Sequence, residues 1–247
     1  MNLNKLQNKG ILMCAKYAFM PNKLQYCGGD QNSALFELTV TNDSHSSLNH
    51  ALTEFETLYP YLKLIAKSNN IRDPFDYRVV EAYWIGNDLL KNVKMKGLYN
   101  HFVDHLHLKK KLTSRQFELM VGKIPAGALP HHSFHVFNIW LRTGKAAMAH
   151  TVETMDQCRI SWGKIVKIKD SELVVNSPCL TLDNYQLQIT NYELQNIVYK
   201  MLDESFIKNP QIGDWISFHW GWACDKLTKA QVKNLEKYTL HNLKLAQ

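Results

Sequence analysis

The 247-residue sequence predicts an α+β fold, in which a mainly helical N-terminal part precedes a small antiparallel β-barrel that ends in a helix. Three observations predict it. Between residues 44 and 121 apolar side chains recur at intervals of three and four, which gathers them on one face of a helix. From Gly163 the period changes to two, as in half-buried strands. Beyond residue 226 the helical period returns through Leu227, Val232, Leu235, Leu240 and Leu243.

Each element has its own signal. The run at 44–67 carries Leu48, Leu52, Phe55, Leu58, Leu62 and Ile65, with Asp43 or Ser44 placed as an N-cap. Pro60 lies inside that run and lacks an N–H, so the run is expected to kink or to divide into two helices. Asp73-Pro74, a proline behind a carboxylate, predicts a helix start ahead of Tyr77, Val80, Tyr83, Trp84 and Leu89. Helical patterns also cover 96–108 and 114–121, whereas 33–41 reads equally as strand or helix because both faces are partly apolar.

In the second part, residues 165–168 and 173–175 flank the polar Lys169-Asp170-Ser171, which predicts a hairpin. Residues 185–190 and 215–220 read as two further strands, enough for a small barrel. Leu194, Ile197, Val198, Met201 and Leu202 stand at helical spacing, which predicts a helix inserted into the barrel over 191–203. The division that follows is a helical domain over 1–145, a linker over 146–157 and a barrel domain over 158–247.

Composition bounds the function. With 45% hydrophobic residues the chain has the makings of an ordinary globular core. Its 29 Lys and Arg against 22 Asp and Glu split as 18 to 13 over residues 1–157 and 11 to 9 over 158–247, so there is no basic arm. The cationic run Lys109-Lys110-Lys111 reads as a solvated helix end, and no nucleic-acid partner is expected. Cysteines at 14, 27, 158, 179 and 224 form no CxxC pair, which fits free thiols in a reducing compartment, the cytoplasm. The apolar stretch 11–20 is interrupted by Lys16 and falls short of the ~20 residues a membrane helix needs, so neither a membrane span nor a targeting segment is expected.

Thiolate is a soft ligand and imidazole a borderline one, so a Cys and a His brought together suit iron, zinc or copper. One constellation begins at Cys158-Arg159-Ile160-Ser161-Trp162-Gly163-Lys164, which leads into the first alternating stretch. It is answered by Gly213-Asp214, a strand that ends His219-Trp220-Gly221-Trp222-Ala223, and Leu227 before the last helix. Over roughly the last 90 residues this order resembles the HypC/HupF family of [NiFe]-hydrogenase assembly chaperones. Those small barrels open with Cys, a short spacer and Gly-Lys-hydrophobic-hydrophobic, and later carry Gly-Asp and His-x-Gly-aromatic-Ala. Cys158 is internal where the family's cysteine lies near the chain start, and Trp162 stands where the family has proline.

The resemblance implies an OB-like barrel and a non-enzymatic assembly factor. Cys158 would be the thiolate ligand of an iron fragment carrying cyanide and carbon monoxide, and His219 a second ligand or a hydrogen-bond partner. Gly163, Lys164 and Gly221 would support the site. The implied partner is a hydrogenase large-subunit precursor or another maturation protein. A barrel that has lost its metal and serves only for binding is a further reading.

A second constellation lies in the helical part, Pro130-His131-His132-Ser133-Phe134-His135. On a helix His131 and His135 would share one face, as in a two-histidine metal clasp, and His101 with His105 repeats that spacing beside Asp104. The adjacent Glu of a zinc protease is missing. The alternative function is therefore an enzyme of unknown reaction with its site at His131, His132 and His135, the barrel serving for docking. Cys27-Gly28-Gly29 lacks phosphate-loop spacing and reads as an ordinary turn.

Overall fold

The computed structural model describes residues 3–29, 32–41, 45–139 and 149–247. Helices α1 (Leu3–Lys23), α2 (Asn32–Thr41), α3 (His45–Thr53) and α4 (Leu58–Ser68) come first. The long periodic run therefore divides in two, and it breaks ahead of Pro60, which sits in the first turn of α4 where a missing N–H costs nothing. Residues 33–41, ambiguous by pattern, are helix. The N-cap expected at Asp43 or Ser44 lies outside the described residues.

Helix α5 (Tyr77–Trp84) starts later than Asp73-Pro74 suggests. Its cap is Asp76, whose carboxylate accepts from the Arg78 backbone N–H at 3.0 Å and holds the Arg78 guanidinium at 2.8 Å. Asp73 instead closes the turn before it, accepting from Phe75 N–H at 2.8 Å. After a 3-10 turn (Asp88–Asn92) come α6 (Met95–Asn100), a π-turn (His101–His105), α7 (Leu108–Lys111), α8 (Ser114–Gly122), α9 (His132–Asn138) and α10 (Val152–Cys158).

The strands are β1 (Ser161–Ile168), β2 (Glu172–Asp183), β3 (Gln186–Val198), β4 (Lys200–Met201), β5 (Glu204–Ser205), β6 (Trp215–His219) and β7 (Trp222–Lys226), and α11 (Lys229–Lys244) ends the chain. Five strands close on themselves in the order β1-β2-β3-β7-β6, with β6 back on β1. One junction is parallel, Val198 of β3 beside Trp222 of β7, so the ring is not wholly antiparallel as expected.

The inserted helix expected over 191–203 is not there: residues 186–198 are β3, paired along its length with β2. The apolar residues that stand at helical spacing do not share a buried face, since Ile197 is 2% exposed while Leu194 is 69% and Leu202 87% exposed. Asn184 and Tyr185, both at positive φ, fold β3 back on β2, and the ladder satisfies the backbone groups without a second surface to bury a helical stripe.

The helical part and the barrel do not have separate cores. Phe19 of α1 meets Phe36 of α2 at 5.2 Å, Phe206 at 5.5 Å and Trp222 of β7 at 5.3 Å between ring centroids. Tyr17 of α1 shares a 2.6 Å hydrogen bond with Ser217 of β6. Residues of α1, α5, β1, β7 and α11 belong to one continuous buried cluster, and a smaller cluster of Ile165, Leu173, Val175, Ile216 and Phe218 fills the barrel. The stretch expected as a linker lies partly outside the described residues, and its described part includes α10. Among the described residues no helix is long and apolar enough to cross a membrane.

Candidate metal centre

Three element ends converge where the helices meet the barrel. His132 opens α9, Cys158 closes α10, and His219 closes β6. Helix α10 is started by a reciprocal capping box between Thr151 and Thr154 and stops at Cys158 because Arg159 is extended. Strand β6 stops at His219 because Trp220 and Gly221, both at positive φ, turn the chain into β7. The ligand atoms of His132, Cys158 and His219 lie within 4.8 Å of one another, and all three residues are buried.

The hydrogen bonds fix the imidazole tautomers. His219 Nδ1 lies 2.8 Å from the Tyr17 carbonyl, which can only accept, so Nδ1 carries the proton and the lone pair sits on Nε2. A ring N–H donated to a backbone carbonyl is the usual support of a metal-binding histidine. His132 Nε2 lies 2.8 Å from the Cys158 carbonyl, which puts its lone pair on Nδ1, where the Tyr83 hydroxyl approaches at 3.3 Å. Burial, reinforced by the neighbouring His219, holds His132 well below the usual histidine range and therefore neutral, the form that binds metal.

These residues surround a cavity of about 30 Å³, into which Cys27 and His135 also face. That is the volume of one water molecule or one ion. Its walls include Tyr83 and Trp84, and Trp84 lies 4.6 Å from the His132 ring. Two donors on one tetrahedral zinc-like ion stand about 3.5 Å apart, so the group must close by up to about an ångström to hold a metal. One sulfur and two nitrogens suit iron, zinc, copper or nickel and not magnesium or calcium. Cys14, pushed up to about 12 by burial despite a bond to Trp84, stays a thiol.

Cys158 and His219 are thus close, as the motif suggests, but in the interior and not on the barrel surface. The helical constellation divides. His132 joins the two barrel residues, and His135 reaches the same cavity. His131 does not form the expected clasp with His135, because it precedes the helix as its N-cap, accepting from Ser133 N–H, and its ring stacks on Tyr238. His101 and His105 have rings 5.9 Å apart, and they belong to no group of three metal donors among the described residues.

The supporting residues have structural reasons. A Cβ on Gly163 would stand 2.4 Å from Val175 Cγ1 and 2.7 Å from the Asn176 carbonyl, so its smallness serves the β1–β2 packing and not an approach to metal. Lys164 is exposed, and Gly221 serves the turn after β6. Cys27 is a residue that sequence reasoning passed over; its one signal is a thiol beside a Gly-Gly turn.

The comparison with protein families returns a family of unknown function, DUF6390, over residues 6–247. The chain belongs to the DUF6390 family. The match spans the helical layer and the barrel together, so the DUF6390 region contains every residue that lines the cavity, its two cysteines and three histidines included. No curated protein and no solved structure matches the chain.

Proposed function

We propose that this protein is an accessory factor of [NiFe]-hydrogenase maturation that holds and passes on an iron fragment carrying cyanide and carbon monoxide. Cys158 supplies the thiolate, His219 the second donor and His132, from the helical layer, a third. The observation that carries the reading is the convergence of Cys158 and His219, the two ends of the sequence motif, with a neutral third histidine at one buried ion-sized cavity. The strand order supports an OB-like barrel, since the first strand pairs with β2 and β6 and the last closes on β3 in parallel.

The iron fragment is cargo. Its cyanide and carbon monoxide do not fit beside the iron in a cavity of about 30 Å³, so loading requires the walls of that cavity to part; three protein donors then suffice to hold the fragment, and a site short of a full tetrahedral cage can give it up. The fixed tautomer of His219 orients one lone pair, and the apolar walls keep bulk water from the cargo. The receiving partner is a hydrogenase large-subunit precursor or another maturation protein, and the compartment is the cytoplasm. The enzyme alternative at His131, His132 and His135 is less well supported, because His131 caps α9 and stacks on Tyr238 and does not line the cavity that His132 and His135 share.

Protein purified without oxygen from cells that make [NiFe]-hydrogenase should contain iron and show cyanide and carbon monoxide bands in the infrared. Both should vanish in Cys158→Ala and His219→Ala while the circular dichroism spectrum is kept. Iron-free wild-type protein under these conditions would sink the proposal.

A further inference from the structure

A second, larger pocket lies against the outer side of the same cavity. Its volume is about 350 Å³, and Glu56, His105, His107 and Lys111 line it with exposed side chains. Two residues, Thr57 and His135, line both this pocket and the inner cavity, so they are the wall between them. His135 follows His132 by three positions on α9, which places the two rings on one helix face, one at the inner donor group and one at the wall.

The backbone beside the pocket is unusual. His101–His105 is a π-turn, and His107 follows at φ 53°, a left-handed conformation that costs a residue with a Cβ. π-turns and strained residues recur at functional sites. His105, His107 and Glu56 line the same pocket, without forming a preassembled donor group among the described residues. Two imidazoles and a carboxylate can exchange with the waters of a hydrated transition-metal ion. Lys111 lines the same pocket and opposes a cation there, so each of the other three groups offers a single, exchangeable contact.

We propose that the pocket of Glu56, His105 and His107 is the port by which a transition-metal ion reaches Cys158, His132 and His219, with His135 as the side chain that passes it through the wall. This rests on reading the inner group as a metal site. The larger pocket admits a hydrated ion, the inner cavity only an ion with few ligands of its own, so the ion sheds water between the two. Each step exchanges one ligand for another without change of oxidation state. At the last step the Cys158 thiol gives its proton to solvent as the metal–sulfur bond forms.

A port changes the barrier to loading and release equally and leaves the affinity of the inner group alone. The probe is cobalt(II) chloride mixed with metal-free full-length protein, followed by the cobalt–thiolate absorption that only a cysteine-bound ion gives. Glu56→Gln with His105→Ala and His107→Asn alters exposed residues only, and asparagine tolerates the left-handed backbone. His135→Phe fills the wall.

In both variants the band should grow at least about tenfold more slowly than in wild type, with the dissociation constant unchanged within about twofold. Wild-type rates in both variants would overturn the port and leave the inner metal site standing. A weaker dissociation constant in His135→Phe with normal rates in the surface variant would make His135 a ligand of the inner group and likewise overturn it. A wild-type protein that gives no thiolate band would remove the inner site, and the port with it.

Discussion

Phe19→Ala tests whether the helices and the barrel stand or fall together. Phe19 is 1% exposed, and its ring meets those of Phe36, Phe206 and Trp222 at centroid distances of 5.2 to 5.5 Å. Truncating a buried Phe costs about 3–5 kcal/mol, from lost transfer energy and the cavity left behind. Three edge or tilted ring contacts, each about 0.5–1.5 kcal/mol beyond the area term, place this one near 4 kcal/mol. Because two of the rings belong to the strand-rich part and one to α2, the loss should fall on both at once. Urea unfolding followed by far-ultraviolet circular dichroism and by tryptophan fluorescence should show one shared transition at a lower midpoint with an unchanged slope. If the helical signal melted early while the strands and the Trp222 environment persisted, the two parts would be independent domains, and the shared-core argument would be refuted.

Other perturbations have definite signs. His101 and His131 are pushed down to about 3, chiefly by burial, with His105 and His135 adding to the effect at His101. A depressed histidine gives stability that is present above its unfolded value near 6.5 and is lost as pH falls toward 3. Acidification from pH 7 to 4.5 should therefore cost about 2–3 kcal/mol less in His101→Phe than in wild type, read from urea midpoints, and an equal loss would discredit the assignment. Gly163→Ala should destabilise by about 1–3 kcal/mol, since its Cβ would meet Val175 Cγ1 at 2.4 Å and the Asn176 carbonyl at 2.7 Å; a neutral result would show that β1 and β2 can move apart. Tyr83→Phe removes the hydroxyl that competes for His132 Nδ1 and should tighten cobalt binding about three- to tenfold, one hydrogen bond's worth. Weaker binding in that variant would mean that Tyr83 supports the site through the other tautomer.

Local pattern by itself determined where helices and strands alternate. Leu48 to Ile65 declared helix, kinked or divided at Pro60, because a 3.6-residue stripe is visible at any window, and Ile165 to Val175 declared a hairpin because two alternating runs flank polar turn residues. The same reasoning failed over 191–203, where a stripe compatible with a helix lost to a ladder with β2, a partner that local spacing cannot see. At the site, the motif marked Cys158 and His219, and the helical constellation marked His132, but as rival sites. Only the tertiary structure joined them, because α9 is tied to α11 through Asn138 and the Asn242 carbonyl and to the end of α10 through His132 and the Cys158 carbonyl, while Tyr17 of α1 holds His219 at the end of β6. Cys27 reached the same cavity with no sequence signal beyond a thiol in a turn. A metal group is made by distance, and the distance between residues 27, 132, 158 and 219 is set by core packing among side chains that are not themselves ligands.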